Sequence, residues 1–218
     1  ITVTVDDGMT TVSTTFDVTV AAINDTPTVN NGTLSTTEDT AVTGTLTGSD
    51  VEAGLLIYSI VADPVNGTVT LSANGTYTYT PATNFFGTDS FTFVATDDGA
   101  IASAAATVSI TVAEVNDAPT ISGIANQTIN EDETTGALNF TIGDVETTSS
   151  SLTVTATSSN PSVIANSGLL LGGSGASRTL TVTPVANEFG SAIITVTVDD
   201  GMTTVSTTFD VTVAAIND

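Results

Sequence analysis

Alternation of polar and apolar residues dominates this 218-residue sequence and constrains its fold more than any other feature. Clear examples are segments 107–112, 194–198 and 209–213, in which Thr, Ser or Asp alternates with Val, Ile or Phe. A period of two is typical of strands with one face toward a core and the other toward water. Because no segment shows a helical period with capping residues, the sequence predicts an all-β fold.

Turn signals separate the alternating segments. Asn66-Gly67, Asn74-Gly75, Asp98-Gly99 and Asp200-Gly201 are dipeptides that favour tight hairpins. The abundance of Val, Thr and Ile also favours strands over helices. Short strands joined at regular spacing by such turns predict a β-sandwich or a barrel.

An exact repeat organises the chain. Residues 1–25 recur without a change as residues 194–218, an offset of 193 residues from position 1 to position 194. A weaker repeat, spaced by 92 residues at Asn24/Asn116 and by 102 at Asp97/Asp199, lies inside this unit. Internal repeats of this kind indicate tandem modules.

The two repeats together predict three segments. Modules span 26–117 and 118–218, and residues 1–25 form the last two strands of a preceding copy of the second module. The second module has about ten more residues between Glu146 and Pro184, which we place in a longer loop at the Gly/Ser-rich run Ser167–Ser177. Since a lone hairpin is marginal in water, residues 1–25 require the rest of their own domain or a neighbouring molecule.

The charge balance narrows the possible partners. One basic residue and 24 acidic residues give a formal net charge of −23, which disfavours binding to nucleic acid or to anionic membranes. No apolar run of 18 residues occurs, so no membrane insertion is predicted. The acidic residues form either a solubilising surface or a set of cation ligands, and their positions decide between these interpretations.

Strand topology predicts that acidic residues gather at the ends of each module. In the first module, strand A connects the Asn24-Asp25 linker to the Glu38-Asp39 turn at the far end. Strands B and F run back and end in acidic residues, which we therefore expect beside the linker. The side chains predicted at this end are Asn24, Asp25, Asp50, Glu52 and Asp97.

The next linker is expected to repeat this arrangement. Glu38 and Asp39 are predicted to approach Asn116 and Asp117. The ligands predicted to join them there from the second module are Asp144, Glu146 and Asp199, and the residues predicted at the following site, expected to be incomplete, are Glu131, Asn217 and Asp218. Since one Asp of each Asp-Asp-Gly makes the turn, Asp98 and Asp200 are the less favoured ligands.

Calcium is the cofactor that these positions predict. Carboxylates, amides and backbone carbonyls can supply the six to eight oxygens that Ca²⁺ takes, whereas Mg²⁺ requires a tight octahedron with several waters. Without a cation, so many like charges would repel one another.

The motifs resemble a known family. Asn-Asp-x-Pro-Thr at the junctions, Glu-Asp, Asp-Val-Glu and Asp-Asp-Gly are similar to the cadherin-like tandem repeats of giant bacterial surface adhesins of the RTX type. The resemblance is weaker in the second module, where Glu188 replaces the first residue of a Phe pair. It implies seven-stranded Greek-key sandwiches (cadherin-like or Ig-like) strung end to end, with calcium at the junctions.

Catalysis is not predicted. The chain has no His and no Cys, which excludes His-based triads and imidazole or thiolate metal sites. Paired carboxylates can hydrolyse glycosides, but here they recur at module ends, which favours ion binding over a single cleft.

The sequence therefore predicts a structural extender or stalk of a long extracellular, cell-surface adhesin, whose partners are neighbouring copies of the same repeat. One alternative is a subunit of a self-assembling filament, in which residues 1–25 pack on a neighbouring copy. A second alternative is a module for carbohydrate binding or homophilic cell adhesion, although 3 Tyr, 8 Phe and no Trp supply few aromatic contacts.

Overall fold

The computed structural model describes residues 1–21, 23–52 and 54–217 and divides the chain into two compact units, Ile1–Glu114 and Val115–Asp218. The strands of the first unit are β1 (Thr2–Asp6), β2 (Thr11–Thr15), β3 (Thr28–Val29), β4 (Gly32–Thr37), β5 (Val42–Thr45), β6 (Gly48–Ser49), β7 (Ile57–Ala62), β8 (Gly67–Leu71), β9 (Thr76–Pro81), β10 (Gly87–Thr96) and β11 (Ala106–Ala113). Those of the second unit are β12 (Thr120–Ile121), β13 (Gln127–Asn130), β14 (Leu138–Gly143), β15 (Thr153–Ser158), β16 (Leu169–Ser174), β17 (Ser177–Val182), β18 (Gly190–Asp199) and β19 (Thr204–Ala214). A short 3₁₀ turn occupies Asn166–Gly168.

Each unit contains the same two-layer sandwich. In the first unit, the sheet β4-β11-β10-β7 faces the strands β5-β9-β8 and β3-β6. In the second unit, the sheet β13-β19-β18-β15 faces β12-β14-β17-β16. In both, the first strand is split between the layers, and its second half pairs parallel with the last strand. The prediction of all-β, seven-stranded, Ig-like or cadherin-like tandem sandwiches is confirmed.

The core follows the alternation in the sequence. Along β10, Phe91, Phe93 and Ala95 are buried, and Thr92 and Val94 between them are only partly covered. The equivalent positions of β18 are the buried Ile194, Val196 and Val198. Burying one of the larger of these side chains stabilises the fold by about 1.5–3 kcal/mol. The strand period alone therefore positions most of both cores.

The two cores differ at one paired position. In the first unit, the Tyr79 hydroxyl donates to the buried Asp89 carboxylate at 2.9 Å, and the backbone N–H groups of Val65 and Asn66 donate to the same carboxylate. Burial by itself raises the pKa of Asp89, but the hydrogen bonds outweigh it and lower the pKa overall. Val182 and Ala192, at the matching places on β17 and β18, are buried and apolar. In the first unit, polar contacts therefore connect the loop at Val65 and Asn66 to the core. The second unit has apolar residues at the positions of Tyr79 and Asp89.

The longer loop of the second unit lies elsewhere than the sequence suggests. Residues 169–174 and 177–182 pair as the hairpin β16–β17, with Ser174 opposite Ser177. The long connection is instead residues 159–168, between β15 and β16. Val163 and Ile164 of this connection are buried in the core, so apolar packing fixes the connection against the sandwich. The Gly/Ser-rich composition of 167–177 reflects a tight turn, in which Gly173 and Gly175 have φ of 83° and 59°.

Strands β1 and β2 form a separate two-stranded sheet. We call residues 1–25 the first hairpin and the identical residues 194–218 the second hairpin. Every described residue from Ile1 to Ile23 is exposed. The second hairpin supplies β19 and most of β18 to the second unit.

Among the residues that the structure describes, there is no helix with the length and apolar character needed to cross a membrane.

Candidate metal-binding poles

The acidic residues of the first unit meet at the end where the chain enters the sandwich. β3 pairs with β6, so that Thr28 lies opposite Ser49. The chain before Thr28 and the chain after Ser49 therefore share one end, and Asp97 follows β10 at the same place. We call this end, in each unit, the Asn-Asp pole.

Hydrogen bonds connect the first unit's pole. Asn24 Nδ2 donates to Asp97 Oδ2 at 2.9 Å, and the Asp25 N–H donates to Glu52 Oε2 at 3.3 Å. Asp97 is buried, and its other oxygen accepts the Ile101 N–H at 2.8 Å. Four of the five residues predicted at this end are thus in direct contact in two pairs.

The fifth residue, Asp50, offers an unsatisfied oxygen. Its Oδ1 accepts the Val51 N–H at 2.8 Å, whereas its Oδ2 is buried and finds no hydrogen-bond partner in the described parts of the chain. A buried polar atom left unpaired costs about 1–3 kcal/mol, and more when it is charged. An oxygen-seeking cation fits this donor set, because it would supply the missing partner.

The second unit builds its Asn-Asp pole by the same pairing. Asn116 Nδ2 donates to Asp200 Oδ2 at 2.9 Å, and the Asp117 N–H donates to Glu146 Oε2 at 3.0 Å. Asp144 Oδ1 accepts the N–H groups of Glu146 and Thr147. The buried oxygens without a partner among the described atoms are Oδ2 of Asp117, Oδ2 of Asp144 and Oε1 of Glu146.

At this pole Asn116 contacts Asp200, whereas the sequence favoured Asp199 as a ligand, and the choice of ligand stays a prediction. β10 begins at Gly87 and β18 at Gly190, so Asp97 corresponds to Asp200. Asp199 still belongs to β18, and its Oδ1 accepts the Gly201 N–H at 2.7 Å within the turn. Counting from the Asn-x-Phe-Gly motif, rather than from Asp-Asp-Gly, would have given this correspondence.

Local contacts stabilise the Asp200 carboxylate as an anion. The Thr203 backbone N–H, followed by the Asn116 side chain, holds the pKa of Asp200 well below its usual range. In the first hairpin, the Met9 and Thr10 backbone N–H groups lower the pKa of the matching Asp7. A carboxylate that stays charged at low pH suits a cation ligand.

Asp39 has a structural contact that the sequence did not indicate. It adopts a left-handed backbone with φ of 54°, and its Oδ1 accepts the Asn84 N–H at 3.1 Å. In the second unit, Asp132 has φ of 61°, and its Oδ1 accepts the Asn187 N–H at 3.1 Å. We call this hydrogen bond, from the Asn84 N–H to Asp39 or from the Asn187 N–H to Asp132, the latch of each unit. The recurrence of the Glu-Asp and Asn-x-Phe-Gly motifs in both modules was the sequence signal for it.

The Glu residue before each latch is buried at the opposite end of its sandwich. Glu38 and Glu131 are each 4% exposed, and their N–H groups donate to the carbonyls of Ala113 and Ala214. Glu131 Oε1 also accepts the Ile216 N–H at 2.7 Å, next to the exposed Asn217. Asp218 lies outside the described residues, and the approach of Glu38 and Asp39 to Asn116 and Asp117 stays a prediction.

Two segments of the chain, residues 24–111 and 116–213, match the family model described as the bacterial Ig domain. The chain belongs to this family. Integrin beta-like protein B of Dictyostelium discoideum is 31% identical over 134 residues, which make up 51% of this chain and 7% of that protein. The chain therefore spans only a small part of that relative.

Solved structures show the same fold at low sequence identity. Mouse protocadherin-24 EC1-3 is 15% identical with a TM-score of 0.51, over 98% of this chain and 78% of that one. Human protocadherin-24 EC1-2 is 10% identical with a TM-score of 0.52, over 88% of this chain and 99% of that one. Bacterial Ig domains and these cadherin-like neighbours share a sandwich that is typically non-enzymatic, so function has to be argued from the poles and surfaces.

Proposed function

We propose that these tandem bacterial Ig domains are a structural extender of a long extracellular adhesin, and that Ca²⁺ bound at the Asn-Asp poles stiffens it. The repeated pole is the observation that carries the proposal. The Asn-to-Asp and backbone-to-Glu hydrogen bonds recur in both units, and each pole holds at least one buried carboxylate oxygen without a partner among the described atoms.

Calcium suits these poles better than other common ions. Their side-chain donors are carboxylates and an amide, and the chain contains no His and no Cys. Hard oxygen ligands favour Ca²⁺ or Mg²⁺ over Zn²⁺ or copper. A site with several carboxylates favours Ca²⁺, because Mg²⁺ needs a near-ideal octahedron with several waters.

The repeat supports a role in extension. A protein built from stacked copies of one fold is quasi-one-dimensional, and its length grows with the number of copies. A net charge of −23 opposes close approach of such copies unless cations neutralise it. Calcium at each pole would therefore control both repulsion and rigidity.

Calcium titration of the chain, followed by calorimetry and thermal unfolding, tests the binding step. Free Ca²⁺ at 100 times its Kd should stabilise the folded chain by about 2.7 kcal/mol. Asp50→Asn and Asp144→Asn should each weaken one site by about tenfold or more. The exposed Asp63→Asn and Glu188→Gln carry the same loss of charge and should leave the affinity unchanged. Equal effects from both pairs would reduce the binding to a general charge effect.

Small-angle scattering tests the stiffening step separately. The maximum dimension and its spread should change when a chelator removes Ca²⁺, and Asp144→Asn should shift that change to higher Ca²⁺. An unchanged profile on chelation, in a chain shown to bind Ca²⁺, would overturn stiffening but leave the binding intact.

A further inference from the structure

The two hairpins place the same apolar side chains in opposite environments. Val3 is 46% exposed and its counterpart Val196 is 0% exposed, while Phe16 is 49% exposed and Phe209 is 3% exposed. The exposed apolar residues of the first hairpin whose counterparts are at least partly buried are Ile1, Val3, Val5, Val12, Phe16, Val18 and Val20, of which Val18 and Val20 lie beyond β2. Exposed apolar residues grouped on one hairpin mark an interaction site.

The second hairpin shows what covers this face. Its apolar residues belong to one core with Phe140, Leu152, Ile164 and Leu180. On its edges, β18 pairs with β15 and β19 pairs with β13. We call residues 115–193 the acceptor body, because they supply these contacts within the second unit.

We propose that the first hairpin of one chain docks into the acceptor body of a second copy, in place of that copy's second hairpin. Because the 25 residues are identical, the docked first hairpin would make the same side-chain and ladder contacts as the resident one. The first hairpin has the required shape already, since Thr4 lies opposite Ser13 in β1–β2 as Thr197 lies opposite Ser206 in β18–β19.

The exchange is controlled by chain connectivity. The resident hairpin is tethered to its acceptor body at an effective concentration of about 1 mM, so it prevails at lower protein concentrations. The donor and acceptor surfaces are different parts of one chain. Docking is therefore head-to-tail, and it builds open chains unless the rotation between copies closes a ring. The docked hairpin would bring Asp7 to the place of Asp200 beside Asn116. The apolar and ladder contacts that carry the inference involve no acidic residue of the Asn-Asp poles, so the inference does not require Ca²⁺.

A full-length variant makes the exchange observable. Val196→Asp with Val198→Asp places two charges at buried positions of the resident hairpin and leaves the first hairpin unchanged. In this variant, the folded fraction of the second unit should rise with chain concentration. The chain should also sediment as oligomers. Adding Val3→Asp and Val5→Asp should abolish both properties, and adding Thr2→Asp and Thr4→Asp, on the other face, should not.

Disulfide trapping reports the register. The native protein contains no Cys, and Thr155 lies opposite Thr197 in the β15–β18 ladder. In the Val196→Asp/Val198→Asp background, a Thr4→Cys chain mixed with a Thr155→Cys chain should therefore form an intermolecular disulfide. Ser13→Cys is the matched control, because its counterpart Ser206 lies on β19 and should not reach Thr155.

Two outcomes overturn the proposal. One is a second unit that unfolds equally with and without Val3→Asp and Val5→Asp, together with no disulfide above the Ser13→Cys control. The second outcome concerns the case in which the second hairpin stays docked in its own chain despite the Val196→Asp and Val198→Asp substitutions. The Thr4→Cys and Thr155→Cys chains without the Asp substitutions, mixed above about 1 mM, should then cross-link, and failure to do so contradicts docking.

Discussion

Residues 1–25 and residues 194–218 share every side chain, yet one copy is exposed and the other forms half of a core sheet. Their turns are nearly superimposable in hydrogen bonding: Gly8 N–H donates to Asp6 at 2.8 Å, and Gly201 N–H donates to Asp199 at 2.7 Å. Both ladders have the same register. The copies diverge in what lies against their apolar face and in the length of the second strand, since β2 ends at Thr15 whereas β19 continues to Ala214. Local sequence therefore encodes the turn and its ladder, while burial depends on the partner surface.

Hydrogen exchange should show the largest difference between the copies. The N–H groups of Val198 and Val205 should exchange only through unfolding of the second unit, whereas those of Val5 and Val12 should exchange by local opening. Since domains of this size have free energies of unfolding of about 5–15 kcal/mol, protection should differ by more than about a thousandfold. Below about 1 mM chain, equal protection would contradict the exposed state of the first hairpin.

Truncation of the shared Phe should give the next largest difference. Phe209→Ala should destabilise the second unit by about 3–5 kcal/mol, because it removes a fully packed ring and leaves a cavity. Phe16→Ala should change the free energy of unfolding by less than about 0.5 kcal/mol. Urea unfolding followed separately for each unit by NMR measures both effects. Similar losses of stability in the two variants would contradict the difference between the hairpins.

The smallest effect concerns the shared turn carboxylate. Asp7 and Asp200 both have lowered pKa values, but only Asp200 accepts from Asn116. Asn116→Ala should therefore raise the pKa of Asp200 toward that of Asp7, as followed by carboxyl NMR shifts in calcium-free buffer. Asn24→Ala, at the other pole, should leave the pKa of Asp200 unchanged.

The sign of the pH dependence follows from these lowered pKa values. The stabilising contribution of Asp200 is present above the unfolded pKa of about 3.9 and is lost as the pH falls through the lower folded pKa. Asn116→Ala should move this loss to higher pH in the second unit. The titration of Asp7 should not affect unfolding of either sandwich, because none of the described residues of the first hairpin belongs to either core.

The sequence predicted the fold well wherever one period or one turn dictated the structure. Alternation placed Phe91, Phe93 and Val196 in cores, and Asn-Gly and Asp-Gly marked turns. Composition misled at 167–177, because Gly and Ser look like a loop although Leu169 and Leu171 pack against the core in a strand. The sequence did not indicate that Asn116 contacts Asp200 rather than Asp199, because adjacent carboxylates are equivalent in sequence and are separated only by strand register.

The sequence by itself determined the strands, the hairpin turns, the two-module repeat and the ends where carboxylates gather, because these depend on contacts between residues near in the chain. Only the tertiary structure decided which Asp meets Asn116, which oxygens of Asp50 and Asp144 are buried without a described partner, and which copy of the hairpin is covered. Those outcomes depend on surfaces brought together from distant parts of the chain. Identical residues are therefore buried or exposed according to the surface that packs against them.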